Sequence, residues 1–234
     1  MNENRLGTLV EDRSLRNQLY VFKDREDAGK LLARRLAPAV PPGAWVLAIP
    51  AGGVPVGLQI ATVLHLPFDL MIVRKIQIPG NTEAGFGAIG PDGEVIFNEK
   101  LLRQLRLSDQ EIGEQIEATR RVMVEREHLF RRGRPFPVIK DKPIILVDDG
   151  LASGFSMMQA LRFAKKRDPK RIIVAVPTAP EQSINRILPF AEEVYCLNIR
   201  THLSFAVAEA YENWYDLTDP EVISLLTNSG NLNK

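Results

Sequence analysis

The sequence predicts an α/β protein: a mainly parallel central sheet with helices on both faces, a helical insertion and a small C-terminal cover. Three observations lead there. Short apolar runs (Trp45–Ile49, Phe68–Val73, Ile144–Val147, Arg171–Val176, Val194–Ile199) alternate with stretches of helical periodicity. Small-residue turns follow two of those runs and lead directly into helices. The 234 residues, 45% apolar and 25% charged, suit one globular domain with an addition.

Taken in order, residues 1–20 are polar and weakly patterned. Asp24 is placed to cap a helix to about Ala37 that buries Ala28, Leu31, Leu32 and Leu36. Pro38, Pro41, Pro42 and Gly43 end it. From Ala44 to Phe68 there is no Asp, Glu, Lys or Arg, a stretch long enough on paper to span a bilayer. Pro50, Gly52, Gly53 and Pro55 interrupt it, so it reads as a buried strand, a glycine turn and a buried helix. Phe68–Val73 is the next strand, ending in Arg74 and Lys75. Glycines at 80, 85, 87, 90 and 93 then mark a mobile loop and hairpin.

Asn98 to about Arg132 is helical, with Ser108 and Glu111 at capping-box spacing and Ile112, Ile116, Met123 and Phe130 as its stripe, widened by Val122 and Leu129. The strand Ile144–Val147 ends in Asp148 and Asp149, and a helix starts near Met157. Glu181–Leu188 reads as a short helix. In the tail, Asp219 is placed to cap a helix through Leu226.

The chemistry concentrates at Asp148–Ser156. A strand, a tight turn and a helix start put free backbone N–H groups at the carboxyl edge of a parallel sheet, where anions bind. Ser153 and Ser156 add hydroxyls, and Asp148 and Asp149 are placed for sugar hydroxyls or a metal. Together they describe a ribose-5-phosphate site. Two glycines at Pro50–Ala51–Gly52–Gly53 permit the close backbone approach a second phosphate loop needs. Arg74 and Lys75 are candidate partners for phosphate oxygens. The clustered aromatics Phe205, Tyr211, Trp214 and Tyr215 either stack a base or form the core of the cover, Phe205, Trp214 and Tyr215 being the base-binding candidates.

The net charge of +1 gives no case for nucleic acid or a membrane surface as partner. The single cysteine, Cys196, rules out an intrachain disulfide and fits a reducing, cytoplasmic setting. The three histidines are scattered without metal-ligand spacing, and the N-terminus lacks a signal-peptide core.

The string Val147–Asp148–Asp149–Gly150–Leu151–Ala152–Ser153–Gly154 resembles the PRPP-binding signature of the type I phosphoribosyltransferases, with Ser153 where threonine is usual. Asp24–Arg25–Glu26–Asp27–Ala28–Gly29 and Val73–Arg74–Lys75–Ile76 also match a stand-alone subgroup of that family. The chain departs from the subgroup at Ala51, where an arginine is usual.

The resemblance implies a single domain over 1–234, with a helical insertion at about 98–135 and cover elements from the termini. Gly150, Leu151, Ala152, Ser153, Gly154, Phe155 and Ser156 would hold the 5′-phosphate, and Ala51, Gly52, Gly53, Arg74 and Lys75 the pyrophosphate. Asp148, Asp149, Lys75 and Arg74 would be catalytic. Asn81, Glu83, Gly85 and Gly87 would belong to the flexible loop over the site. Mg2+ would be carried by PRPP near Asp148 and Asp149, with no direct protein metal cage. The implied reaction transfers phosphoribose to or from a nucleobase-like acceptor with pyrophosphate exchange. The other reading is a regulatory protein that binds PRPP or a nucleotide with little or no catalysis. Which base is bound is not legible, and a homodimer is left open.

Overall fold

The structure is a computed structural model that describes residues 7–202 and 204–230, the side chains of Thr82 and Glu83 apart. Its centre is a six-stranded parallel sheet. In chain order the strands are β1 (Thr8–Glu11), β2 (Trp45–Ala48), β3 (Phe68–Leu70), β7 (Pro143–Val147), β8 (Arg171–Pro180) and β9 (Glu193–Arg200). Their spatial order is β1-β9-β8-β7-β2-β3, every pair parallel. Side-chain alternation divides the core in two. Val46, Ala48, Ile145 and Val147 pack on one face, with helices α1 (Arg25–Leu36) and α2 (Gly53–Leu64). Leu47, Ile144 and Leu146 pack on the other, with α5 (Phe155–Lys165) and α6 (Glu181–Ile187). Burial on both faces explains why these strands read as continuous apolar runs.

A second, antiparallel sheet holds β4 (Arg74–Ile78), β5 (Asn81–Ile89) and β6 (Val95–Phe97). Against it lie α3 (Glu99–Leu105) and α4 (Asp109–Arg131), burying Ile76, Phe86, Ile89 and Met123 in a third cluster. This small layer departs from the sequence expectation in two ways. The chain breaks after Leu70, so Arg74 and Lys75 begin a new strand and do not end β3. Gly85 and Gly87 lie within β5 and not in a loop, because a Cβ at 85 would lie 2.2 Å from Lys75 Cγ and one at 87 would lie 2.5 Å from the Ile96 carbonyl. Both glycines permit close strand approach.

The caps expected at Asp24 and at Ser108 with Glu111 form. At α7 (Asp219–Asn228) the cap is Thr218, in a capping box with Glu221, and Asp219 is the first helical residue. On α4 Phe130 is buried in the main core, whereas Leu129 is 40% exposed. The unpatterned N-terminus supplies the edge strand β1, and Asn198 Nδ2 ties the following turn by donating to the Leu15 and Gln18 carbonyls. No helix among the described residues is long and apolar enough to cross a membrane.

The connections of β2 and β7 leave the sheet in opposite directions: β2 runs through α2 outward to β3, and β7 through α5 to β8. Adjacent strands with diverging connections leave a crevice at their carboxyl ends. Both glycine-bearing turns open into it.

Candidate active site

At the end of β7 the chain passes through Asp148 and Asp149 into the turn 150–154 and then α5. Gly154 stands at the N-cap with φ +78°, a conformation side-chain-bearing residues rarely hold, and no side chain caps the helix. The first N–H groups of α5 are therefore left to an incoming acceptor. The turn is pinned from behind. Leu151 N–H donates to the Thr178 carbonyl at 3.0 Å, Ser183 Oγ to the Ala152 carbonyl at 2.6 Å, and Arg186 to the Ser153 carbonyl.

The two carboxylates differ in environment. Asp149 accepts from Arg25 Nε at 2.8 Å, both side chains being largely buried. Arg25 also donates Nη1 to the Tyr215 carbonyl at 2.8 Å, and its guanidinium lies 3.8 Å from the centre of the Trp214 ring. The Tyr211 hydroxyl donates to the Asp149 carbonyl at 2.5 Å, and burial keeps that phenol protonated by raising its pKa well above the ordinary value. Asp148 makes no ion pair among the described residues. Burial, then the neighbouring charge of Asp149, push its pKa well above the ordinary carboxylate range. Its Oδ1 accepts the Asp149 N–H at 2.9 Å, which fixes the side chain.

The β2–α2 turn meets this pair directly. A Cβ on Gly52 would lie 1.9 Å from Asp149 Oδ2, and one on Gly53 2.8 Å from the Val147 carbonyl. Arg74 and Lys75 from β4 and Arg126 from α4 line the same cleft. Arg126 is held by Asp219 of α7 at 2.7 and 3.3 Å. Burial and then the charge of Arg126 lower the pKa of Arg74, so the two guanidiniums share one neighbourhood. These groups, with Arg25 and Asp216, line one cleft of about 740 Å³, the helix start and carboxylates coming from one stretch of chain and the cations of β4 and α4 from others. A side recess of about 220 Å³ is shared by Arg74, Lys75, Gln77, Arg126, Asp148 and Ser156.

Residues 43–210 match the family model of the phosphoribosyl transferase domain. The chain belongs to this family. A Mycobacterium tuberculosis protein carrying the provisional name phosphoribosyl transferase is 36% identical over 209 residues, which is 89% of this chain and 47% of the relative. The chain thus spans about half the length of the curated relatives it matches. A crystal structure of a Thermus thermophilus protein is 36% identical, with a TM-score of 0.70 over 88% of this chain and 98% of that one. A Neisseria gonorrhoeae structure, 16% identical with a TM-score of 0.50 over 91% of this chain and 97% of that one, shares the fold.

In this phosphoribosyltransferase-family chain the cleft gathers most of the residues singled out from sequence. Asp148, Asp149, Gly150–Gly154, Ser156, Ala51, Gly52, Arg74 and Lys75 all line it, as do Phe205 and Trp214. Some do not. Gly53 is buried in the first turn of α2, and Phe155 turns away to pack under Arg186, 4.9 Å from its ring. Tyr215 is 58% exposed and borders a separate groove beside Asp24, and Trp214 has its ring engaged by Arg25. Asn81, Gly85 and Gly87 lie in β5 away from the cleft lining, and the side chain of Glu83 falls outside the described residues.

Tyr211, one of the tail aromatics, is buried in the core, and three residues were not read as part of the site: Arg25, Arg126 and Asp219. Arg25 had a signal, since it sits in a family-like string beside the Asp24 cap. Arg126 read as one charge on a solvated helix face, and only the packing of α4 on β4 brings it to the cleft.

Proposed function

We propose that the chain is a PRPP-dependent phosphoribosyltransferase acting on a nucleobase-like acceptor. The observation that carries this is the convergence on one cleft of an uncapped helix start, a carboxylate pair and a cationic wall. PRPP has the matching order of groups: a 5′-phosphate, two ring hydroxyls and a pyrophosphate on C1. The amides of the 150–154 turn and α5 would take the 5′-phosphate, with Ser153 and Ser156 as hydroxyl donors. Asp148 and Asp149 would accept from the ribose hydroxyls. Arg74 and Lys75 would receive the pyrophosphate.

The acceptor nitrogen forms a bond to C1 as the C1–O bond to pyrophosphate breaks, with inversion; the electron pair leaves on pyrophosphate and a proton leaves the base. The protein's share is electrostatic, since among the described residues no cleft hydroxyl is hydrogen-bonded to a base that would activate it. Arg74 and Lys75 stabilise the departing charge, and the carboxylates face the cationic sugar.

Mg2+ fits this donor set as a partner of the ligand. No group of three or more His, Cys, Asp or Glu side chains gathers for a metal among the described residues. Asp148, whose charge is opposed by burial and by Asp149, is the oxygen a cation would relieve most. Bound there, Mg2+ would neutralise pyrophosphate charge.

A second reading, a PRPP- or nucleotide-binding protein with little catalysis, is favoured by one observation. Asp149 is already committed to Arg25, and Ala51 brings no cation to its loop. Pyrophosphate release from PRPP and Mg2+ across a panel of nucleobases separates the readings. Base-dependent release supports the transferase. PRPP binding without release under any base supports the binding protein, and no PRPP binding rejects both.

A further inference from the structure

The cationic wall contains a residue from the helical insertion. Arg126 lies past the middle of α4, and its side chain is mostly buried between that helix and the cleft. It borders both the main cleft and the recess shared with Arg74, Lys75 and Asp148. Asp219 takes its Nε and Nη2, and among the described residues Nη1 has no hydrogen bond. A guanidinium placed only to tie α4 to α7 would not need to border the recess that Arg74 also lines, where the two guanidiniums repel. Such crowding is stable when a polyanion is the intended neighbour. The loop across the cleft supplies backbone and Ala51 but no charge.

We propose that Arg126 is a pyrophosphate-binding residue of this cleft, supplied by the helical insertion, with Asp219 orienting and partly neutralising it when the cleft is free. This rests on the reading of the cleft as a PRPP site. It gives the insertion a role in binding, and it ties α7 to the cleft, because a phosphate oxygen on Arg126 competes with Asp219 for the same cation.

The test uses the full chain and calorimetry with two probes, magnesium pyrophosphate and ribose 5-phosphate. Arg126→Ala should weaken pyrophosphate binding by about ten- to a hundredfold, the range of a lost charge-assisted bond. Ribose 5-phosphate affinity should stay within about twofold of the parent, as it is held at the other wall. Arg126→Lys should recover part of the loss, a point charge replacing the fork. Asp219→Asn removes the charge from the same α4–α7 tie but keeps the guanidinium, so it should bind pyrophosphate as tightly as the parent or more tightly. Equal losses in Arg126→Ala and Asp219→Asn would mean a merely structural tie and overturn the proposal. So would parent-like pyrophosphate affinity in a folded Arg126→Ala. If the parent binds ribose 5-phosphate but not pyrophosphate, the Arg126 proposal fails while the sugar-phosphate half stands. If it binds neither, the PRPP reading fails first and this proposal with it.

Discussion

The two walls of the cleft are built by opposite strategies. The wall at the end of β7 comes from one contiguous stretch, Asp148–Ser156, whose strand, turn and helix fix one another through local geometry. The rest of the lining is assembled from separate pieces: Ala51 and Gly52 of the β2–α2 turn, the start of β4, and Arg126 of α4, which Asp219 of α7 holds. A phosphate site on a helix start needs only backbone N–H groups, and sequence-local structure supplies them. A site for a more highly charged group needs several cations, and here they come from two elements distant in sequence, the start of β4 and α4.

The walls should therefore fail differently when damaged. The largest expected effect is at Arg25, the buried cation of the cleft lining that is paired with Asp149. Arg25→Ala removes the partner of Asp149 and the stacking on Trp214, leaving a carboxylate unpaired beside Asp148. A loss of about 3 kcal/mol in urea denaturation is expected. Arg126→Ala, whose partner Asp219 is nearly one-third exposed, should cost under about 1 kcal/mol in the same assay. Equal losses would remove the distinction between a structural and a ligand-facing arginine.

Next in size is Gly154→Ala. Nothing lies closer than 3.5 Å to a Cβ there, so the obstacle is the φ of +78° and not space. A destabilisation of about 1–2 kcal/mol is expected, with ribose 5-phosphate binding weakened as the helix start shifts. Backbone conformation, not space, is what asks for glycine at this position.

A smaller effect of opposite sign is expected at Asp148. Its pKa in the folded protein lies above the ordinary 3.8, because burial and Asp149 oppose its charge. The native state thus keeps a proton where the unfolded chain has lost it, and stability falls as pH rises from about the ordinary value through the raised one. Asp148→Asn should raise Tm at neutral pH by roughly 2–4 °C, the scale of 1 kcal/mol in a chain of this size, and the gain should vanish at about pH 3, below the ordinary value. The same variant should lose about 1–3 kcal/mol of binding to PRPP with Mg2+. A Tm rise with unchanged binding would place the ribose elsewhere.

The smallest effect concerns Ala51. With Arg74, Lys75 and Arg126 already at the cleft, Ala51→Arg should tighten magnesium pyrophosphate by under about tenfold. A larger gain would show that the cationic wall is incomplete.

This asymmetry also set what the sequence could disclose. The parallel sheet was legible because its strands are buried on both faces and read as plain apolar runs. The strand, turn and helix start at Asp148–Ser156 were legible because they are contiguous. Of the β4–β5–β6 layer the hairpin was legible but the extent of its strands was not, since Gly85 and Gly87 serve strand approach and composition alone reads such glycines as loop. Arg126 and Asp219 lie 93 residues apart and look like ordinary helix-surface charges. Only the packing of α4 on β4 makes them neighbours of the cleft. Arg25 sits between these cases, adjacent to a recognisable cap but directed by tertiary structure onto Asp149.

The central claim is that the two walls form one site for one ligand. Calorimetric titration of PRPP with Mg2+ into protein saturated first with ribose 5-phosphate and separately with pyrophosphate tests it most directly. PRPP is predicted to displace both, with its apparent affinity reduced by each in proportion to that probe's occupancy. PRPP binding unaffected by either probe, or blocked by one alone, would contradict the account.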